Sequence, residues 1–189
     1  MSTAVSPAGG TADKVATAAP AGGPEGDAAI TRVRPPTDEV AAVRCPAKHP
    51  NPPGARRCRR CGADVAEQDE VMIARPALGV LRLADGEVIS LERTVIVGRA
   101  PDPLAGTTGV RANAIRVDSP GLDVSRNHAE FRADGWQLVV TDLGSANGTT
   151  VKQPGGPPIL LRRNGSVVVE PGAWVTLADE VVLRYEVTP

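Results

Sequence analysis

Aromatic residues are scarce in this sequence. Only four of its 189 residues are aromatic, and all lie in the last third of the chain: Phe131, Trp136, Trp174 and Tyr185. Hydrophobic residues still make up 41% of the chain, which is enough for the core of one ordinary domain. We therefore expect the large side chains of that core to come from the C-terminal part.

Long apolar runs are also missing. No stretch approaches the ~20 apolar residues of a membrane-spanning helix. The N-terminus has neither the basic start nor the continuous apolar run of a secretion signal. These absences predict a soluble protein in a reducing, cytoplasmic setting.

Residues 1–40 contain no aromatic residue and show neither a helical nor a strand period. Such a segment buries too little apolar surface to offset its chain entropy, so we predict a disordered tail and linker. A helix built on its alanines is the alternative, but glycines and prolines interrupt it. Thr37, between prolines and acidic residues, is a possible phosphorylation site or simply a solvated linker threonine.

Three cysteines follow the tail, and three cannot all pair within one chain. With one histidine they form the spacing C-x3-H-x8-C-x2-C, built from Cys45, His49, Cys58 and Cys61. Four such donors suit a structural zinc ion, and C-x-x-C-G is the usual zinc knuckle. We predict a zinc ribbon over residues 41–66 with Zn²⁺ as its only cofactor. A redox C-x-x-C is the alternative, but a thioredoxin-like strand and helix are missing.

The cysteine segment is the only markedly cationic part of the chain. Residues 44–62 carry six basic residues and no acidic one, although the formal charge of the whole chain is −1. The arginines that flank the second knuckle could contact nucleic acid phosphates, so a nucleic-acid-binding regulator is an alternative function. No aromatic residue is interleaved for base stacking, which favours a solvated surface instead.

From residue 71 onward, short β-type runs recur every eight to twelve residues, separated by turn signals such as Asp134-Gly135 and Asn147-Gly148. The runs are VMIA, GVLRL, EVISL, TVIVG, AIRV, HAEFRA, WQLVVTDL, TTV, ILLRR, SVVVE, AWVTLA and EVVLRYEV. No helical stretch of ten residues survives the glycines and prolines. The pattern predicts an all-β sandwich of about ten or eleven strands over residues 71–188.

Three polar loops between these strands resemble the forkhead-associated (FHA) domain in identity, order and strand context. They are Val97-Gly98-Arg99, then Ser125-Arg126-Asn127-His128, then Asn147-Gly148-Thr149. The resemblance covers residues 72–188 and implies a β-sandwich that recognises phosphothreonine in an extended peptide. The richness in Ala, Gly, Pro, Val and Arg also resembles proteins of GC-rich bacteria such as actinobacteria.

The resemblance implies a role for each loop residue. Arg99 matches the family arginine whose charged, planar fork suits phosphate oxygens. Ser125 matches the serine that donates a hydrogen bond to the phosphate, Arg126 a second phosphate or peptide contact, and Asn147 the amide that binds peptide backbone. Gly98, His128, Gly148 and Thr149 are expected to hold the loops, with Gly148 at positive φ.

A catalytic interpretation of Ser125 and His128, with Asp142 as the third member of a hydrolase triad, is the other alternative. Nothing nearby resembles a nucleophile elbow or an oxyanion hole. In the family the histidine is structural, so we predict no catalytic residue and no enzyme activity.

Two features depart from the family pattern. Ala146 stands where many members carry threonine or serine, which removes one potential hydrogen bond, although Ser145 could partly compensate. Residues 101–113 look like an insertion beside the phosphate loop, which either shapes selectivity or has no role.

The expected function is therefore a phosphothreonine-binding adaptor or regulator in serine/threonine-kinase signalling. Its partner would be a threonine-phosphorylated protein, or its own tail after phosphorylation of Thr37. The latter expectation assumes ~35–40 flexible linker residues, with a reach on the order of 30–35 Å.

Overall fold

A computed structural model describes residues 38–187 of the chain, and these residues form one all-β unit. Thr37 and almost all of the predicted tail lie outside the described residues. The part of the chain that the structure describes contains no helix, so none there is long and apolar enough to cross a membrane. The predicted sandwich is confirmed: eleven strands form its two sheets.

The first sheet has six strands, and every neighbouring pair is antiparallel. Its strands, in spatial order, are β11 (Pro158–Leu161), β10 (Thr149–Lys152), β13 (Trp174–Leu177), β14 (Val181–Glu186), β4 (Val80–Leu83) and β5 (Val88–Ser90). Alternation along β13 and β14 buries Val175, Leu177, Leu183 and Tyr185 on one face.

The second sheet has five strands. Their spatial order is β12 (Ser166–Val169), β9 (Gln137–Asp142), β8 (Ala129–Asp134), β6 (Val95–Gly98) and β7 (Asn113–Arg116). All four residues of β6 are buried, as expected for a strand covered on both faces. The inner faces of both sheets pack into one core, where Phe131 and Tyr185 are among the largest fully buried side chains.

The pairing of β6 with β7 is the only parallel pairing among the described strands, and it explains the long connection between them. Parallel neighbours need a crossover of about a dozen residues, whereas antiparallel neighbours can be joined by two. Most of the predicted insertion, residues 101–113, is this crossover. It is anchored by Glu130, a fully buried residue of β8 whose carboxylate accepts hydrogen bonds from the N–H and hydroxyl of Thr107 (3.0 and 2.5 Å).

A third sheet of three strands precedes the sandwich in sequence. Its order is β2 (Pro50–Asn51), β1 (Glu39–Arg44) and β3 (Val71–Ala74). The run VMIA is a strand as predicted, but it pairs with β1 and joins neither sheet of the sandwich. Strand β1, which contributes the buried residues Val40, Ala42 and Val43, was not predicted from the sequence.

Candidate functional site

The ends of three neighbouring strands bring the predicted loops together. Strands β6, β8 and β9 are adjacent and antiparallel, and their register aligns Val97 with Ala129 and Ala129 with Asp142. The end of β6, the start of β8 and the end of β9 therefore lie at one edge of the sheet. Loops that are separate in sequence meet there because of that register.

The first two loops approach each other at Gly98. The backbone N–H of Arg99 donates to the Ser125 carbonyl (3.2 Å), and that of Ala100 donates to the Arg126 carbonyl (3.4 Å). A Cβ atom at Gly98 would lie 1.9 Å from the Arg126 carbonyl oxygen, closer than any real contact. Glycine at this position is therefore required for the loop that carries Ser125 and Arg126 to pack against the end of β6.

His128 joins the second loop to the third. Its side chain is fully buried, its Nδ1 accepts the backbone N–H of Ser125 (3.1 Å), and its Nε2 lies 3.0 Å from the Gly148 carbonyl. An acceptor at Nδ1 places the proton of the neutral ring on Nε2, from which it donates to Gly148. Burial lowers the pKa of His128, which favours this neutral form.

Protonation of His128 is expected to destabilise the fold. Its folded pKa lies below the ordinary value of 6.5, so the unfolded chain binds this proton more tightly. The contribution of His128 is fully present above about pH 6.5 and falls as the pH drops toward the lowered pKa. We expect the free energy of unfolding, from denaturant titration, to decrease as the pH falls from about 7.5 to 5.5. An equally steep decrease in His128→Gln would contradict this assignment.

The third loop is organised by Asp142, a fully buried residue at the end of β9. Its carboxylate accepts hydrogen bonds from the N–H and hydroxyl of Ser145 (2.9 and 2.5 Å) and from the hydroxyl of Thr149 (2.8 Å). Gly148 has a φ of 82°, the left-handed region that glycine tolerates best. This turn leaves the Asn147 side chain exposed, with its Nδ2 donating to the Asp123 carbonyl (3.0 Å).

The Ser125 hydroxyl links the second and third loops directly. Its oxygen accepts the backbone N–H of Ala146 (3.1 Å). A hydroxyl has one donor and two acceptor positions, so this bond leaves the Ser125 proton available to an outside acceptor.

These contacts do not assemble the triad that was the catalytic alternative. His128 accepts the backbone N–H of Ser125, while the Ser125 hydroxyl bonds to Ala146. Asp142 bonds to Ser145 and Thr149, among the described residues, and to neither triad partner. All three side chains thus serve to shape the loops.

Ser145 does not compensate for Ala146. The Ser145 residue is buried, and its hydroxyl bonds to Asp142 and accepts the N–H of Gly148 (2.9 Å). Both hydrogen-bonding roles are used inside the turn, so Ser145 offers no donor to a ligand.

Arg99 lines a shallow cavity of about 280 Å³ beside these loops. The Nε of Arg99 is buried and has no hydrogen-bond partner within residues 38–187. The remaining lining residues come from the end of β7 and the loop after it: Arg116, Val117, Asp118, Ser119, Pro120 and Leu122. Arg126 is exposed and does not line this cavity. Arg116 was not predicted from the sequence, because an arginine within a strand run such as AIRV is indistinguishable from an ordinary solvated side chain.

The four predicted metal ligands converge, and their ligand atoms all lie within 4.8 Å of one another. The Sγ atoms of Cys45 and Cys61 are 3.9 Å apart, and the Sγ of Cys58 is 3.8 Å from Nδ1 of His49. With Zn–S bonds of ~2.3 Å, two sulfur ligands of a tetrahedral zinc ion are about 3.8 Å apart. Two of the donor pairs are therefore close to the spacing of a tetrahedral zinc site, and the four residues together could hold a metal ion.

Burial of Cys58 opposes ionisation of its thiol. Hydrogen bonds from the backbone of Cys61 and Arg60 and from the Asn51 side chain outweigh that effect and lower the pKa of Cys58 to about 5. Asn51 is fully buried, accepts the Arg59 backbone N–H (2.8 Å) and donates to the His49 carbonyl (2.9 Å). It thereby connects the His49 segment to the turn that carries Cys58 and Cys61, a contact that was not predicted from the sequence.

Arg59, inside the second knuckle, connects the cysteine segment to the sandwich. Its Nη2 donates to the Leu78 carbonyl (3.0 Å) and lies 3.4 Å from the Tyr185 hydroxyl. Its guanidinium carbon lies 5.6 Å from the centroid of the Trp136 ring, a cation–π distance. Trp136 in turn donates from Nε1 to the Ala41 carbonyl of β1 (2.7 Å). The cysteine segment therefore docks on the sandwich.

This docking weakens the nucleic-acid alternative. Of the four arginines around the second knuckle, Arg59 is engaged with the sandwich and Arg57 is near Asp64 (3.8 Å). Arg56, Arg57 and Arg60 remain exposed, and Asp64 offsets part of the charge of Arg57, which leaves a small cationic surface for phosphate binding.

Comparison with known proteins identifies the central part of this unit. Residues 95–171, which include all three loops, match the family model of the FHA domain. This part of the chain is therefore similar to FHA domains. No curated protein matches the chain.

Several solved FHA domains are similar to the chain. One, studied for phosphothreonine-dependent FHA interactions, is 26% identical with a TM-score of 0.40, and the match covers 58% of this chain and 96% of that one. The FhaA FHA domain, complexed with the intracellular domain of another protein, is 27% identical with a TM-score of 0.38, covering 56% and 96%. The FHA domain of human APLF, in complex with an XRCC1 bisphospho peptide, is 24% identical with a TM-score of 0.41, covering 57% and 95%.

Proposed function

We propose that this protein binds threonine-phosphorylated peptides at the edge of the sheet where its three loops meet. The observation that carries this proposal is the position of Arg99 where the loops meet, packed against the loop of Ser125, with a buried Nε that has no hydrogen-bond partner among the residues that the structure describes. A buried donor without a partner is costly, and a phosphate oxygen would satisfy it. The Ser125 hydroxyl, with a proton free to donate, lies on the adjacent loop.

The loop residues have separate roles in this proposal. Arg99 and Ser125 face the phosphate, Arg126 contacts the peptide residues beside it, and Asn147 binds peptide backbone. Gly98, His128, Gly148 and Thr149 hold the loops through the close approach, hydrogen bonds and positive φ described above. No catalytic role is proposed for these groups. A phosphothreonine ligand requires a serine/threonine kinase upstream, so the proposed role is that of an adaptor or regulator in serine/threonine-kinase signalling.

The test is calorimetric titration of the full chain with three forms of one peptide selected from a randomised phosphothreonine library. We expect the phosphothreonine form to bind at least about 100-fold more tightly than the unphosphorylated form, because several charge-assisted hydrogen bonds depend on the phosphate. Phosphoserine should bind more weakly than phosphothreonine. Equal affinity for all three forms would refute the proposal.

We also propose that Cys45, His49, Cys58 and Cys61 hold a structural zinc ion, with Nδ1 of His49 as the nitrogen ligand. The spacing of the donors and the lowered pKa of Cys58 support this assignment. Four protein ligands leave no open position for catalysis. Three reduced thiols suit the reducing cytoplasm.

We propose phosphorylated Thr37 as a second ligand of the same site. The assumption that a flexible linker joins Thr37 to the sandwich was wrong. Residues 39–74 contain β1, β2 and β3, and Asp38 is ion-paired with Arg75. Trp136, in the β8–β9 turn at the opposite end of these strands from the loops, donates to Ala41 of β1, so we expect the tail of one molecule to bind the site of another. Phosphorylation of Thr37 should then weaken the binding of a partner peptide more strongly as protein concentration rises. An unchanged affinity, or the same effect of kinase treatment on Thr37→Ala, would exclude this role.

A further inference from the structure

The end of β7 places a second arginine beside Arg99. The parallel register of β6 and β7 aligns Arg116 with Gly98, and the Val117 N–H donates to the Gly98 carbonyl (2.9 Å). Because β7 is the last strand of its sheet, the Arg116 side chain is exposed at its outer edge. Two arginines that are 17 positions apart in sequence thus line one cavity.

The two arginines make that cavity cationic. No described residue forms an ion pair with Arg99 or Arg116, and the only other charged residue of the lining is Asp118. Ser119 contributes no free hydroxyl, since its oxygen accepts the Val124 N–H (3.1 Å) and its proton is donated to Glu180. The two guanidinium groups are therefore the main donors that face a ligand, and a phosphate of about −2 charge suits them.

Arg126 is placed differently. Its backbone carbonyl is part of the contact with β6, but its side chain is exposed and does not line the cavity. Its position in the sequence, directly after Ser125, is what suggested a phosphate contact. The position of Arg116 beside Arg99 in the structure is a stronger indication of a phosphate contact.

We propose that Arg116 is a phosphate-binding residue of this site and acts together with Arg99. The inference rests on the proposed function, because it assigns a further residue to the same phosphate. It also predicts separate roles for the two cations. Arg99 donates to the phosphate from its buried Nε, and Arg116 contacts the phosphate from the solvent side of the cavity.

The first test compares matched neutral variants in the full chain. We expect Arg116→Gln to weaken binding of the selected phosphothreonine peptide about tenfold, and Arg126→Gln to weaken it less than about threefold. Arg116→Gln should also reduce the salt dependence of binding, and Arg116→Lys should restore part of the affinity. Unchanged affinity in Arg116→Gln, or an equal loss for phosphorylated and unphosphorylated peptide, would overturn the proposal.

The second test needs no peptide. Inorganic phosphate is titrated into the full chain while the arginine Nε–H signals are followed by NMR, with Arg99→Ala and Arg116→Gln used to assign them. Shifts of both signals would support the inference. A shift of Arg99 alone would overturn it and leave the proposed function intact, whereas a shift of neither would count against both.

Discussion

Replacement of Arg99 by alanine is expected to abolish measurable binding of phosphothreonine peptides. The side chain supplies a permanently charged donor set, and its Nε is buried without a partner in residues 38–187. Hydrogen bonds to charged groups contribute ~1.5–3 kcal/mol each, so losing a two-pronged contact should weaken affinity by at least about 100-fold. Calorimetry with the selected phosphothreonine peptide measures this loss.

Arg132 provides a matched control. Its Nε is also buried without a partner among the described residues, but it lies within β8, away from the three loops. Arg132→Ala therefore tests whether removing a partly buried arginine perturbs binding through the fold alone. Arg99→Lys keeps the charge and should recover only part of the affinity, since lysine cannot bind phosphate with a planar fork. Equal losses in Arg99→Ala and Arg132→Ala would contradict the role of Arg99.

Removal of the proposed zinc ion is expected to unfold the cysteine segment and to destabilise the sandwich as well. Zinc binding supplies ~10–16 kcal/mol in small zinc modules, which is the free energy that folds a segment with little core of its own. Arg59 sits between two of the ligands, so loss of the metal should release its contacts with Leu78, Tyr185 and Trp136. We expect the Tm of the sandwich to fall by about 5 °C or more after chelation.

Tryptophan emission reports this release in a second way. Trp136 loses its hydrogen bond to Ala41 and becomes more exposed, whereas Trp174 is already exposed and should change little. The matched variant Arg59→Ala retains all four ligands, so it should bind one zinc ion per chain and still show part of the fall in Tm. A chain without stoichiometric zinc, or chelation that leaves Tm and emission unchanged, would contradict this coupling.

Local patterns in the sequence were sufficient to predict the sandwich. Each of the twelve strand runs overlaps one of β3 to β14, because alternating apolar residues and turn glycines determine where short strands begin and end. The loop motifs likewise lie on the expected strand ends. Their detailed assignments, from Arg99 to Asn147, stay predictions until binding is measured.

Features that depend on pairing between distant segments were not accessible from the sequence. The strand VMIA has the same local pattern as the sandwich strands, and only its partner β1 distinguishes it. Arg59 was grouped with its neighbouring arginines because sequence gives its charge and not its contact with Trp136. Arg116 became a candidate only when the parallel register placed it beside Gly98.

We propose that the loops around Arg99, Ser125 and Asn147 bind a phosphorylated threonine. NMR titration of the uniformly ¹⁵N-labelled, zinc-loaded chain tests it most directly, with phosphorylated and unphosphorylated forms of one library-selected peptide. We expect saturable shifts of the backbone amides of these loops, including Ala146, with the phosphorylated form only, while signals around Arg59 stay in place. Shifts elsewhere that leave these loops unchanged, or identical shifts with both forms, would contradict it.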